Sequence, residues 1–293
     1  MSKFILSEQE REKIFNERIA PSFLANAVSS EQPVAIIFGG QPGSGKSSLI
    51  RMIKEIKTDF SVINGDDLRG YHPNMYELLK QDEKNASDLV QADCNFWIEK
   101  LIALAAKNKA NIIIEGTMRR PAVPLATAQM LKKEGYQVEA CVVVIPPEIS
   151  LASIFYRYEI QKKMVGYGRF AKPQNHDEAF SGINKTLTEI SDSKRISHIT
   201  QYYRSGSDYN KIYENSLIDG DWENENGPEY IFDKFSKKGL TQDELLYAQS
   251  LWQKIIELAR ERNGESGYIE SLGEYDEIID KKLGEKSIDF DVR

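Results

Sequence analysis

A chain of 293 residues, 41% of them apolar, can build a sizeable core in one or two domains. Its formal net charge of −7 argues against broad nucleic-acid binding, which needs a positive footprint, but leaves room for a local basic pocket. Two cysteines, Cys94 and Cys141, make no disulfide framework and read as buried thiols in a reducing cytosol; His72, His176 and His198, with no C-x-x-C, give no zinc pattern.

In chain order, "LSEQEREKIFNERIAPSFLANA" (6–27) reads as helix. Ser7 and Glu10 form a capping-box pair there, and Pro21 is a break or kink. "PVAIIF" (33–38) is a strand buried on both faces, followed by a glycine-rich loop. "KSSLIRMIKEI" (46–56) is a helix with Leu49, Ile50, Ile53 and Ile56 on one side. "FSVIN" (60–64) is a short strand, 75–107 is helical, and "NIIIEG" (111–116) is a third strand. "VPLATAQMLKKEG" is a helix stopped by Gly135, and "YQVEACVVVIP" is a fourth strand. "PEISLASIFYRYEIQKKM" is a helix with Pro147 near its start, and another covers 174–191. "ISHITQYY" and "YNKIYEN" read as a hairpin or sheet edge.

This alternation predicts an α/β fold, a P-loop kinase-like parallel sheet with helices on both faces, over 1–215. Residues 216–293 read as an acidic, partly helical extension. In it "TQDELLYAQSLWQKIIELARER" is an amphipathic helix with a Thr N-cap, and the tail from 264 reads as charged and irregular. The first twenty residues lack a signal-peptide core, and no apolar run reaches the roughly 20 residues that span a bilayer. The expectation is a soluble cytoplasmic protein.

Gly40-x-x-x-x-Gly45-Lys46-Ser47, between strand and helix, has the P-loop pattern in the context that pattern requires. The loop comprises Gly40, Gln41, Pro42, Gly43, Ser44, Gly45, Lys46, Ser47 and Ser48. Its glycines let backbone N–H groups turn inward around phosphate oxygens, and the helix N-terminus adds its positive end. Lys46 reaches the outer phosphates, and the Ser47 hydroxyl can ligate Mg²⁺. The guanine-reading N-K-x-D is missing: "NKAN" and "NKTL" lack the acid. The third strand ends in glutamate where motor ATPases carry aspartate. A small-molecule kinase fits best.

Such a kinase needs a base near its acceptor. Asp66 and Asp67 follow the second strand, whose carboxyl end shares the P-loop's crevice, and periodicity does not choose between them. Glu115, after four apolar residues, is costly to bury unpaired and points to a site role; Thr117 and Arg119 follow at the same mouth. Arg157 lies on a helix and Arg169 beyond "KKMVGYG", which reads as a flexible lid that can close two arginines on the phosphates.

The motifs "FGGQPGSGKSSL", "INGDDLRGYHPN", "IIIEGTMRRPAVPLATAQMLKKEGY", "RYE" and "GRFAKPQNHD" together resemble the zeta-toxin kinases of bacterial toxin–antitoxin systems across about residues 30–205. That resemblance implies ATP- and Mg²⁺-dependent phosphorylation of the 3′-hydroxyl of UDP-N-acetylglucosamine, which poisons peptidoglycan synthesis. It implies Asp66 as the base, six residues before His72–Pro73, with Lys46 and Ser47 on the triphosphate and metal. Glu99, Glu115, Thr117 and Arg119 become sugar-nucleotide contacts, and Arg157 and Arg169 the phosphate clamp. Glu99 rests on the resemblance alone. A small helical antitoxin that blocks the nucleotide site is the implied partner. The chain departs from the family in "RFAKP", where R-A-T-P is usual, and in the doubled Arg119–Arg120, where spacing selects Arg119. Two other readings stay open: a kinase of the same fold with another acceptor, such as an antibiotic hydroxyl, and a nucleotide-binding interaction protein acting through its C-terminal helix.

Overall fold

The computed structural model describes residues 4–291, with side chains as far as 286. Among them seven strands form one sheet in the order β2-β3-β1-β4-β5-β6-β7. The strands are β1 (Val34–Gly39), β2 (Ser61–Asn64), β3 (Ile112–Glu115), β4 (Gln137–Val144), β5 (His198–Ser205), β6 (Asp208–Ile218) and β7 (Asp221–Trp222). Pairing is parallel through β5 and antiparallel beyond, so the two late polar strands form the expected hairpin at the sheet edge. β1 lies centrally, between β3 and β4. Chain direction across the sheet reverses there, which opens a crevice at the carboxyl ends of the strands.

The helices are α1 (Glu8–Ile14), α2 (Ala20–Leu24), α3 (Lys46–Ile56), α4 (Gly65–Arg69), α5 (Met75–Asp82), α6 (Ala86–Leu89), α7 (Gln91–Lys107), α8 (Ala122–Lys133), α9 (Pro147–Val165), α10 (Pro173–Ser193), α11 (Pro228–Ser236), α12 (Gln242–Glu261) and α13 (Ser266–Asp291). Strand side chains alternate between the two faces. Ile36, Phe38, Ile113, Cys141 and Val143 pack with Leu49 and Ile50 of α3. Ala35, Ile37, Ile112, Ile114, Val142 and Val144 pack with α7, α8, α10 and α11. Cys94 and Cys141 are free and buried, and burial pushes their thiols up to about 11 and about 12, so neither is a ready nucleophile. No helix among the described residues is long and apolar enough to cross a membrane.

Two expectations need correction. Of the break or kink expected at Pro21, the break does not occur: a π turn at Phe15–Ile19 precedes it and α2 runs through it. A proline removes one N–H and crowds the carbonyl four residues back, and a wider turn relieves that crowding. The tail from 264 is not irregular, because Ser266–Asp291 is helix. Tyr268, Leu272, Tyr275, Ile279 and Leu283 recur at helical spacing and pack on α12 and α9.

The segment after β6 divides between two cores. Phe232 of α11 belongs to the core beneath the sheet, and residue 216 itself lies inside β6. α12 and α13 make a second core with α9, around Phe155, Trp252 and Tyr275. Trp252 and Tyr275 stack at 4.8 Å. Glu159 of α9 has a fully buried side chain. It accepts from Arg262 Nε at 2.6 Å, Arg262 Nη2 at 2.8 Å and Tyr268 Oη at 2.8 Å. Removing one partner of a buried pair leaves an uncompensated charge. Arg262→Met is therefore expected to cost about 3 kcal/mol, the low end of that effect because Tyr268 still donates. Urea denaturation of Arg262→Met against Arg262→Lys checks this.

Candidate active site

The P-loop leaves β1 and closes on α3. Gly43 and Gly45 have φ of +80° and +94°, a region glycine tolerates and side chains rarely adopt. Neither has room for a Cβ: one at Gly43 would lie 2.1 Å from Ser150 O, and one at Gly45 2.5 Å from Tyr209 Oη. Lys46 is buried and donates to Gly40 O at 2.6 Å and Gln41 O at 3.1 Å. Burial lowers its ammonium to about 8; Glu115 opposes that shift, and Arg157 and Arg169 add to it. The Gln41 and Ser44 side chains are buried and belong to the loop's scaffold. Gln41 Nε2 donates to Ile145 O and Ser150 Oγ, both at 3.1 Å, and Ser150 Oγ meets His176 Nε2 at 2.8 Å. Burial lowers the His176 imidazole, and Asp177, 2.8 Å from its Nδ1, opposes that shift.

A cleft of about 780 Å³ opens beside the loop. Ser47, Asn64, Asp66, Asp67, Glu115, Arg157 and Arg169 all line it. Parallel pairing of Phe38 and Asn64 with Glu115 brings three strand ends to one level. Ser47 Oγ donates to Glu115 Oε1 at 3.1 Å, and Asn64 Nδ2 donates to Glu115 Oε2 at 2.9 Å. Asn64 also caps α4, accepting from the Asp66 N–H at 2.8 Å through Oδ1. That cap sets Asp66 at the mouth of the cleft, where Arg69 and Arg169 both ion-pair with its carboxylate. Asp67 lines the same cleft, its carboxyl raised by burial.

Arg157 has no such partner. Its Nε and Nη2 are shut from solvent and make no hydrogen bond. Burial lowers its guanidinium, with Arg69 adding to the effect. Arg169 is lowered to about 10 by burial. Lys46, Arg157 and Arg169 thus converge near Ser47 and Glu115 as a desolvated cationic group, suited to a polyanion.

The lid reads differently in structure. "KKMV" belongs to α9, which ends at Gly166 in the left-handed conformation. The strap beyond it is tied to Glu83, which accepts from Tyr158 Oη at 2.6 Å, Lys162 Nζ at 2.8 Å and the Gly168 N–H at 3.2 Å. Arg169 is held on Asp66, in the same cleft as Ser47. Glu99, Thr117 and Arg119 do not line the cleft. Glu99 is exposed on α7, Thr117 is half-buried, and Arg119 pairs with Glu178 at 3.1 Å. Arg120 is exposed.

Four contributors escaped sequence reasoning: Asn64, Arg69, Arg204 and Tyr209. Asn64 carried a signal, as an N-cap residue between strand and helix. Arg204 Nη1 donates to Gly43 O at 3.1 Å and Tyr209 Oη to Gly45 O at 2.8 Å, across 161 and 164 residues, and no local pattern announces either.

No cluster of three or more His, Cys, Asp or Glu among the described residues is placed to hold a metal. Ser47 Oγ beside a Glu115 carboxylate is nevertheless the kind of oxygen pair that Mg²⁺ uses, since that ion takes one or two protein oxygens and completes its shell with water and phosphate.

Comparison with known proteins agrees with this geometry. Toxin PezT of Streptococcus pneumoniae is 37% identical over 132 residues, 45% of this chain and 52% of the toxin. Toxin zeta of Enterococcus hirae is 35% identical over 178 residues, 60% of this chain and 62% of the toxin. The chain thus spans about half to two thirds of the length of these curated relatives. The structure of the PezAT chromosomal toxin–antitoxin system of S. pneumoniae superposes with a TM-score of 0.73 at 25% identity, covering 86% of this chain and 98% of that one. The complex AvrRxo1-ORF1:AvrRxo1-ORF2 shares the fold, with a TM-score of 0.57 at 15% identity. The Zeta toxin family profile matches residues 22–218, more than half of the sequence. The chain belongs to the zeta toxin family.

Proposed function

We propose that the protein is a phosphotransferase that uses ATP and Mg²⁺ to phosphorylate the 3′-hydroxyl of UDP-N-acetylglucosamine in the cytoplasm, acting as a toxin against peptidoglycan synthesis. One observation carries the kinase reading. The P-loop Ser47, an arginine, Arg157, whose Nε and Nη2 are buried without a partner, and the carboxylates Glu115 and Asp66 at or just past the ends of two strands meet in one cleft, with the buried P-loop Lys46 beside it. The acceptor comes from the family resemblance. A solved neighbour of the same fold was determined with ATP, which supports the donor.

Lys46 and the inward N–H groups of the loop bind the outer phosphates of ATP. Ser47 and Glu115 are the residues that would hold Mg²⁺, which when bound neutralises phosphate charge. Asp66 accepts the acceptor's hydroxyl proton as that oxygen bonds to the γ-phosphorus and the bond to the bridging oxygen of ADP breaks. Arg169 must first leave Asp66, and the γ-phosphate is the competing anion that draws it away. Arg157, already free, stabilises the charge that spreads over the transferring group. Glu99, Thr117 and Arg119 keep their role as acceptor contacts on the resemblance alone. The partner is a small helical antitoxin over the nucleotide site, supported by the toxin–antitoxin neighbour.

A second reading, transfer to another hydroxyl compound, is favoured by the position of Glu99, Thr117 and Arg119 off the cleft. One experiment separates the two. Pure protein is incubated with ATP, Mg²⁺ and a panel of UDP-sugars and other hydroxyl acceptors, and products are weighed by mass spectrometry. The first reading expects UDP-N-acetylglucosamine to gain one phosphate. A gain on another compound with none on that sugar nucleotide favours the second.

A further inference from the structure

We propose that Arg204 and Tyr209, at the tip of the β5–β6 hairpin, are positioning residues of the nucleotide site that hold the P-loop in its phosphate-binding conformation before nucleotide arrives. The inference rests on the phosphotransferase reading only in taking the loop to bind a nucleoside triphosphate. Arg204 and Tyr209 are direct cross-strand partners. The two-residue turn between their strands begins at Gly206, whose φ of +60° suits the first position of a type II′ turn. A register shift at Gln201/Tyr202 lies just behind the tip, and such bulges re-aim the end of a strand. Both side chains are thereby delivered to the P-loop.

The contacts are specific. Arg204 Nε donates to Gly206 O at 2.9 Å, which anchors the guanidinium to its own turn and leaves Nη1 for Gly43 O at 3.1 Å. Tyr209 Oη donates to Gly45 O at 2.8 Å. A phosphate nest turns successive N–H groups inward, so the carbonyls of those peptides point elsewhere and need other donors. Lys46 serves Gly40 and Gln41, Arg204 serves Gly43, and Tyr209 adds a tie to the Gly45 carbonyl, which also accepts from the Ser48 and Leu49 N–H groups at 3.0 and 3.2 Å. The fit leaves no slack, since a Cβ at Gly45 would also lie 3.0 Å from Arg204 Cδ. Neither Arg204 nor Tyr209 lines the cleft at Asp66, so the pair acts on the donor side and not on the acceptor.

The test is amide hydrogen exchange of the nucleotide-free full chain, together with separate KM values for ATP and acceptor. Two hydrogen bonds of ordinary worth correspond to roughly thirtyfold in an opening equilibrium, and less where the Gly45 carbonyl keeps its helix donors, so about tenfold is expected. In the double variant Arg204→Met/Tyr209→Phe, amides of residues 43–47 are expected to exchange about tenfold faster. The KM for ATP should rise by a similar factor with the acceptor's unchanged, and Arg204→Lys should restore part of both. Unchanged exchange in β1 and β4 verifies the fold, and Tyr209→Phe alone serves as the milder variant. Wild-type exchange across 43–47 in both variants would overturn the proposal. Because exchange is read without nucleotide or acceptor, a failure to phosphorylate UDP-N-acetylglucosamine would defeat the acceptor assignment and leave this result standing.

Discussion

Replacing Arg157 with methionine is expected to lower kcat by about 10³–10⁵, the range known for a catalytic arginine in phosphoryl transfer. The chain should remain as stable as wild type, or become more so. Both halves follow from one observation: Nε and Nη2 are buried without a hydrogen-bond partner. An arginine in that state costs stability, because two of its nitrogens have lost water without a hydrogen bond in return, and the nearby Glu115 charge offsets this only in part. Its guanidinium is lowered by burial and then by Arg69, with Glu115 opposing the shift, so on balance the surroundings disfavour the cation. A transferring phosphoryl group supplies the missing partner at the moment its charge spreads. Methionine keeps much of the side chain's volume and removes the uncompensated charge. Single-turnover rates and thermal melts on the same preparation check both halves. A fall in the melting temperature with kcat intact would mark Arg157 as structural.

Asp66→Asn should lower kcat by about 10²–10⁴ while ATP affinity stays near wild type. Asparagine cannot take the acceptor's proton at neutral pH. It preserves the shape of the α4 N-terminus, where Asn64 accepts from the backbone N–H of residue 66 and not from its side chain. The variant also frees Arg69 and Arg169, which share the carboxylate in the unliganded protein. Arg169 would then reach phosphate without first leaving a partner, so ATP affinity should hold or rise slightly. Asp67→Asn is the control. Asp67 lines the same cleft but has neither arginine on it, and its substitution should leave kcat within a few-fold of wild type. Titration calorimetry with ATP and steady-state rates separate the two effects.

The parts of the site written in consecutive residues were the legible ones. The P-loop is a local pattern between strand and helix, and the structure places it there. Glu115 was singled out because a carboxylate after four apolar residues needs a partner, and Ser47 and Asn64 are those partners. Asp66 and Asp67 could not be told apart by periodicity, since both follow β2 and both line the cleft; what separates them is which carboxylate receives Arg69 and Arg169. The lid was half legible: the glycines after Met164 marked the end of a helix, while the ties to Glu83 come from about 80 residues away, at separations of 75, 79 and 85. α13 was legible and passed over. Its apolar residues keep helical spacing, but Gly267, Gly273, Gly284 and a dense charge pattern masked them. Arg204 and Tyr209 were beyond reach, because a hairpin turn and a bulge decide where they land. Glu99 shows the opposite limit. It came from the family motif alone and stands exposed on α7.

The most direct measurement is phosphorus and proton NMR of the product formed from ATP, Mg²⁺ and UDP-N-acetylglucosamine by the pure protein. The account predicts ADP and a new phosphomonoester coupled to the proton at C3 of the N-acetylglucosamine ring, absent from a parallel Asp66→Asn reaction. ADP with inorganic phosphate alone, and the sugar nucleotide unchanged, would contradict it.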